Sequence, residues 1–292
     1  MHIVDNAVIM AAGTSSRFAP LSYEIPKALI TVKGEVLIER QIRQLKDAGV
    51  PEIYVVVGYK AELFAYLKEK MGVHLVRNPE YLTRNNNASL YAVKDILKNS
   101  YICSADNYFS ENPFEREVSE CYYAAVYADG PTKEWCMESD ETGRICKVQI
   151  GGANAWYMLG HAFWDTAFSQ KFVEILEQEY DLPQTANLLW ESIYIDHLDE
   201  LKMTIRKYRN DIIFEFDTLD ELREFDSTYV ADTRSEILKK LANQLFCQEK
   251  DLLAVTSYRD DNNEAAGFTF TCRGIEYMYS YKDQVLRRIQ DG

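Results

Sequence analysis

Ile9-Met10-Ala11-Ala12-Gly13-Thr14-Ser15-Ser16-Arg17-Phe18, followed by Pro26-Lys27-Ala28-Leu29, decides how the rest of the chain is read. Residues 4 to 10 are mostly apolar, as a buried parallel strand requires. The small residues at 11 to 16 then let backbone come close to a ligand. Consecutive N–H groups in such a turn form an anion-binding nest. Arg17 adds a fixed fork of donors for phosphate, and Lys27, ten residues on, adds a point charge. The plain alternative is an ordinary strand-to-loop turn with two surface cations. Two other phosphate-binding loops are excluded by the residues. Neither Gly-x4-Gly-Lys-Ser/Thr nor Gly-x-Gly-x-x-Gly occurs in this stretch.

The 292 residues suffice for one large domain and a small one, and 47% apolar residues allow a sizeable core. A net charge of −14 argues against nucleic acid or an anionic membrane as the main partner. A phosphate site in such a chain must be a local cationic pocket, or must use Mg²⁺. The six cysteines (103, 121, 136, 146, 247 and 272) form no CxxC pair and no zinc spacing, so buried thiols in a reducing cytosol are expected. The N-terminus reads straight into a strand with no signal peptide. No apolar run approaches the ~20 residues of a membrane span. A cytoplasmic protein without membrane insertion is the expectation.

Helix periodicity predicts helices over 35–49, 61–71, 89–97, 165–180 and 185–195. Strands are predicted over 53–57, 74–76 and 101–105. This alternation is the α/β pattern, whose ligands bind outside the carboxyl ends of the strands. The middle changes character. Residues 122–127, 145–150 and 155–163 read as antiparallel strands, with turns at Asp129-Gly130, Asp140 to Gly143 and Gly151-Gly152. Strands at 203–208 and 212–216 and a helix at 219–225 close a unit of residues 1–227. Residues 228–292 read as a separate small piece, an amphipathic helix at 235–246 and a β-hairpin within 256–280. The polar stretch 259–264 lies within it.

Asp106 and Asp217 each follow an apolar strand, so both sit at carboxyl ends. Two converging carboxylates make a site for Mg²⁺, a hard cation that shares its shell with substrate phosphates. Taken singly, each Asp also reads as a turn residue or helix N-cap.

Taken together, Ala11-Ala12-Gly13-x-x-x-Arg17…Pro26-Lys27-Ala28-Leu29, Ala105-Asp106-Asn107-Tyr108 and Glu215-Phe216-Asp217 resemble the signature segments of the sugar-phosphate-type nucleotidyltransferases. Asn85-Asn86-x-x-Ser89-Leu90-Tyr91, Thr132-x-Glu134-Trp135, Gly160-x-x-Phe163-Trp164-Asp165 and Leu189-Trp190-Glu191 resemble its choline-phosphate cytidylyltransferase branch. The likeness runs from about residue 4 to 225. Ser15 stands where the family often has a second glycine, which expects a turn that does not need φ > 0. The tail resembles the opening strands of a choline-kinase-like lobe, without the kinase's catalytic parts and with 260–264 replacing its small-residue turn. It is read as a non-catalytic appendage, with dimerisation as the competing use.

The resemblance implies a Rossmann-like, mostly parallel sheet with flanking helices (a GT-A-like α/β fold), an antiparallel insertion and a small α+β C-terminal appendage. It implies a Mg²⁺-dependent transfer of CMP from CTP to phosphocholine. Ala11, Ala12, Gly13, Thr14, Ser16, Arg17, Lys27, Asn86, Ser89 and Asp106 are the implied nucleotide-binding residues. Arg17, Lys27, Asp106 and Asp217 are the implied catalytic set, with Asp106 and Asp217 on the metal. A trimethylammonium head held by aromatic faces and a nearby acid points to Trp135, Trp190, Glu191 and Asp129. Lys147 is placed within reach of the acceptor phosphate, and Trp164 is read as core. Another phospho-amine, a phosphonate such as 2-aminoethylphosphonate or a sugar phosphate remains open as acceptor. A non-catalytic nucleotide-binding regulator is the reading from another class. Oligomeric state is not legible.

Overall fold

A computed structural model describes residues 1–260 and 265–289, so the end of the predicted polar stretch 259–264 lies outside the described residues. The chain forms two compact units, one of residues 1–13 and 37–215, the other of residues 14–36 and 216–292. The boundary expected at 227 therefore falls inside the second unit.

The first unit is built on a sheet of seven strands. Strand β1 (Asn6–Ala11) is followed by helix α1 (Leu37–Asp47), β2 (Glu52–Val57), α2 (Tyr66–Met71) and β3 (His74–Arg77). Then come α3 (Asn87–Tyr91), β4 (Ser100–Ser104) and a short β5 (Asn107–Phe109). The long strands β6 (Tyr122–Ser139) and β7 (Ile145–Trp164) precede α4 (Thr166–Glu179), α5 (Trp190–Asp196), β8 (Thr204–Lys207) and β9 (Ile213–Glu215). The sheet order is β8-β6-β7-β4-β1-β2-β3, with β4, β1, β2 and β3 mutually parallel. Val8, Ile9, Val55 and Val56 are fully buried, which is why their segments read as unbroken apolar runs. Asp165 caps α4 through the Phe168 N–H, as its place before an amphipathic run predicts.

Several predicted boundaries change. The helix predicted from residue 35 starts at Leu37, because Glu35–Val36 pairs with Thr31–Val32 in the second unit. The helices predicted over 61–71, 89–97 and 185–195 are each split into a 3₁₀ turn and a short α-helix. Asp129-Gly130 and Gly151-Gly152 are not turns. They lie inside β6 and β7, where register slips at Ala128/Pro131 and Thr132/Trp135 absorb the extra residues. Gly130 and Gly151 take φ of 99° and 79° there, which bulges admit without ending the pairing. The predicted turn at Asp140 to Gly143 is present.

The second unit holds the residues just after the opening strand together with the C-terminus. It contains α6 (Leu219–Phe225), α7 (Glu236–Gln244) and a four-stranded antiparallel sheet. That sheet comprises β10 (Leu252–Arg259), β11 (Ala265–Cys272), β12 (Ile275–Ser280) and β13 (Val285–Arg288) in sequence order. The predicted hairpin is its centre, β11 with β12, and two further strands flank it. All six cysteines are free thiols, four of them buried. Among the described residues no helix is long and apolar enough to cross a membrane.

Candidate active site

In the first unit the small-residue turn begins at the carboxyl end of β1. Ala11 and Ala12 are buried, and the Ala12 carbonyl accepts the Tyr59 N–H at 3.0 Å. A Cβ at Gly58 would lie 2.6 Å from Tyr81 Cγ and 2.8 Å from the Ala12 carbonyl oxygen. Only glycine leaves room for that carbonyl, so Gly58 shapes the turn, a role its place as a strand-ending residue did not reveal. A Cβ at Gly13 would meet nothing within 4 Å, so the backbone there is open to a ligand.

The second unit carries the cationic part. Ser15 takes φ 47°, ψ 43°, so the turn does require the left-handed region, contrary to the expectation from its residue type. Ser16, Arg17 and Phe18 form a 3₁₀ turn anchored by buried Phe18. The Arg17 Nη1 donates to Asp217 Oδ2 at 2.6 Å, with side chains 75% and 35% exposed. Lys27 is 3% exposed and follows Pro26, its Nζ 3.8 Å from Asp217 Oδ1 and 5.6 Å from the centroid of Phe18. One carboxylate thus gathers both predicted cations. Asp217 precedes α6, whose Thr218–Glu221 capping box also accepts the Asp217 N–H on Glu221 at 2.6 Å. The predicted N-cap role therefore belongs to Thr218, which leaves the Asp217 side chain for ionic partners.

Asp106 is half-buried in the link between β4 and β5, just past the carboxyl end of β4. The Ala105 N–H donates to the Met10 carbonyl at 3.3 Å, tying that link to β1. β5 pairs with β9 so that Asn107 faces Glu215, and their side chains meet at 3.5 Å. Among the described residues no cluster of three or more His, Cys, Asp or Glu side chains is placed to hold a metal ion. Carboxylate oxygens such as those of Asp106 and Asp217 are the donor type a hard cation like Mg²⁺ takes.

The expected head-group residues separate. Trp190 is 1% exposed, stacked on Tyr123 at 5.6 Å and edge-on to Trp164 at 5.1 Å. It is a core residue, as is Trp164. Glu191, next to it, is half-buried. Its Oε1 accepts the Tyr123 hydroxyl at 3.2 Å and its Oε2 the Asn86 amide at 3.1 Å. Burial pushes the Glu191 carboxyl up to about 7, against the pull of its hydrogen bonds. Burial and the carboxylates of Glu191 and Glu215 push the Tyr123 phenol well up. The Asn86 side-chain oxygen also accepts the Trp190 backbone N–H at 2.7 Å, while Ser89 is buried against Asn78 at 3.2 Å. Trp135 is half-buried on β6 at the margin of the same core, and Asp129 is exposed on that strand. Lys147 pairs with Glu138 at 2.5 Å on the exposed ribbon. Glu215 stands in the signature segment Glu215-Phe216-Asp217 but received no role of its own from the sequence, because nothing local separates it from a solvated strand-end acid.

Within the second unit, Asp217 thus gathers Arg17 and the buried, post-proline Lys27 around one carboxylate. Residues 7–129 match the MobA-like NTP transferase domain. A choline-phosphate cytidylyltransferase of Streptococcus pneumoniae is 34% identical over 75% of this chain and 96% of its own length. The chain belongs to this cytidylyltransferase family and is a nucleotidyltransferase. A 2-aminoethylphosphonate cytidylyltransferase of Lancefieldella rimae is 37% identical over 79% of this chain and 95% of its own. The solved CTP:phosphocholine cytidylyltransferase of S. pneumoniae superposes with a TM-score of 0.74, covering 78% of this chain and 99% of that one at 34% identity. The α/β nucleotidyltransferase fold read from the sequence is the fold observed, and a purely regulatory binder is no longer the natural reading of this cytidylyltransferase chain.

Proposed function

We propose that this protein transfers CMP from CTP to a small phosphorylated cation, phosphocholine first, giving CDP-choline and pyrophosphate. The observation that carries the reading is Glu191. A desolvated carboxylate held by Tyr123 and Asn86 is relieved by a permanent cation beside it. An oxygen of the acceptor phosphate attacks the α-phosphorus of CTP in line. The bond to the α–β bridging oxygen breaks, and pyrophosphate leaves with that electron pair. A phosphate monoester dianion needs no protein nucleophile, so the residues position and neutralise. Backbone amides of residues 12–17 and Arg17 hold the β- and γ-phosphates, and Lys27 neutralises charge near the α-phosphate. Arg17 exchanges its contact with Asp217 for phosphate as the nucleotide enters. Asp106 and Asp217 would hold Mg²⁺, which when bound supplies charge neutralisation at the α-phosphate and the acceptor phosphate. Trp135 and Asp129 complete the acceptor side.

A primary ammonium acceptor is the second reading. The burial of Trp190 removes one aromatic wall, and carboxylates at Glu191 and Glu215 suit a hydrogen-bonding ammonium. Pyrophosphate release from CTP is to be measured with phosphocholine, phosphoethanolamine, 2-aminoethylphosphonate and glucose 1-phosphate. A preference of at least about tenfold in kcat/KM for phosphocholine is expected, since cation–π contact supplies ~1.4 kcal/mol or more. Preference for the phosphonate establishes the second reading. Turnover with the sugar phosphate alone refutes both.

A further inference from the structure

Within the second unit, residues 14–36 are held along their length by C-terminal residues. The Glu24 carboxylate accepts the Ser235 hydroxyl and, at 2.8 Å, the Glu236 N–H. The Thr31 carbonyl accepts the Tyr229 hydroxyl at 2.7 Å and Arg234 Nη1 at 2.6 Å. Tyr23 stacks on Tyr281 with ring centroids 3.8 Å apart. One of these contacts falls on the phosphate loop itself. Arg259, the last residue of β10, donates from Nη2 to the Ser16 hydroxyl, immediately before Arg17. Helix α6, which begins just after Asp217, is fastened to the same sheet. Buried Arg223 donates to the carbonyls of Leu252 at 2.7 Å and Glu249 at 2.8 Å, and Asp220 accepts the Ala254 N–H at 3.0 Å.

Arg17 and Lys27 share one carboxylate, so the loop alone sets little net positive charge against a triphosphate. We propose that Arg259 is a polyphosphate-binding residue, supplied by the C-terminal sheet to the β- and γ-phosphates of the nucleotide. The inference rests on the reading of residues 12–17 as the phosphate loop. A guanidinium fork binds phosphate through two parallel N–H bonds. Its attachment to Ser16 orients that fork beside the loop amides before the nucleotide arrives. The C-terminal segment then completes the nucleotide pocket instead of riding on it as an appendage.

The test titrates inorganic pyrophosphate with magnesium chloride, and separately CMP, into the full-length chain and its variants by calorimetry. Arg259→Gln is expected to weaken pyrophosphate at least about tenfold while CMP, which lacks β- and γ-phosphates, stays within about twofold. Arg259→Lys should recover part of the loss. Ser16→Ala, which keeps the guanidinium, should lose less than Arg259→Gln. Unchanged pyrophosphate affinity in Arg259→Gln overturns the proposal. So do equal losses in Ser16→Ala and Arg259→Gln without rescue by lysine, the result for a mere prop of the loop. Arg17→Ala separates the two levels. If it weakens pyrophosphate and Arg259→Gln does not, only the Arg259 proposal falls. If neither does, the phosphate-loop reading falls with it. Thermal melts of each variant confirm folding, and Arg259→Lys carries the comparison if the glutamine variant melts early.

Discussion

Glu191→Gln separates charge from shape at the proposed acceptor site. The carboxyl of Glu191 moves from an ordinary 4.5 to about 7 because burial penalises its charge more than Tyr123 and Asn86 compensate it. A raised carboxyl binds its proton more tightly in the folded chain than in the unfolded one. Its contribution is therefore favourable at low pH, falls as pH rises past 4.5, and is lost above about 7. At ~1.4 kcal/mol per tenfold in proton affinity, the full penalty at pH 8 is of order 3 kcal/mol, and less after allowance for the partial exposure of the residue. Glutamine keeps the size and one acceptor oxygen but does not titrate. The Tm of Glu191→Gln minus that of the wild type should thus climb between pH 5 and pH 8, by roughly 2–4 °C per kcal/mol. The same substitution should raise the KM for a cationic acceptor by at least about tenfold above pH 7, with the KM for CTP within about twofold. Differential scanning fluorimetry across pH and a pyrophosphate-release assay read the two effects. Parallel Tm–pH curves for the two proteins would show that the carboxyl is not desolvated, and an unchanged acceptor KM would remove it from the acceptor site.

Asp217→Asn and Asp106→Asn should each lower kcat much more than they raise KM; near-normal pyrophosphate release from either variant refutes the two-carboxylate assignment. Gly58→Ala forces a Cβ to within 2.8 Å of the Ala12 carbonyl oxygen and 2.6 Å of Tyr81 Cγ, which should cost about 1–3 kcal/mol and raise the KM for CTP. Trp190→Ala should destabilise by roughly 3–5 kcal/mol in chemical denaturation as a core truncation, whereas Trp135→Ala should leave stability closer to wild type and erode discrimination between acceptors. Equal stability of the two tryptophan variants would contradict the burial of Trp190.

Local sequence was sufficient for the strand, small-residue loop, arginine and post-proline lysine, because spacing and backbone preference act over a few residues. It was sufficient also for the family, whose segments are short and ordered along the chain. For α6 it pointed to the capping segment but not to the residue, since Thr218 and not Asp217 is the N-cap. It misjudged Asp129-Gly130 and Gly151-Gly152, because a bulge inside a long ribbon and a turn between strands use the same residues. It likewise read Ser15 from residue type alone, whereas the fold around it imposes a positive φ.

Electrostatic environment was decided by tertiary structure. Asp217 reaches Arg17 across 200 residues of sequence, and Glu191 is bound by Tyr123 and Asn86 from 68 and 105 residues away. A proton affinity is set by what surrounds the group, and no window of the chain contains those surroundings. Trp190 is the sharpest case. Aromatic character made it a cage wall on paper, but stacking on Tyr123 and contact with Trp164 make it core. Arg259 shows the converse. Its segment reads as a polar end of a tail strand, and only the folding of the tail onto residues 14–36 carries its guanidinium to Ser16. Which residues carry charge was written in the sequence. Which of those charges meet was settled by the packing that brings distant segments together and removes water from between them.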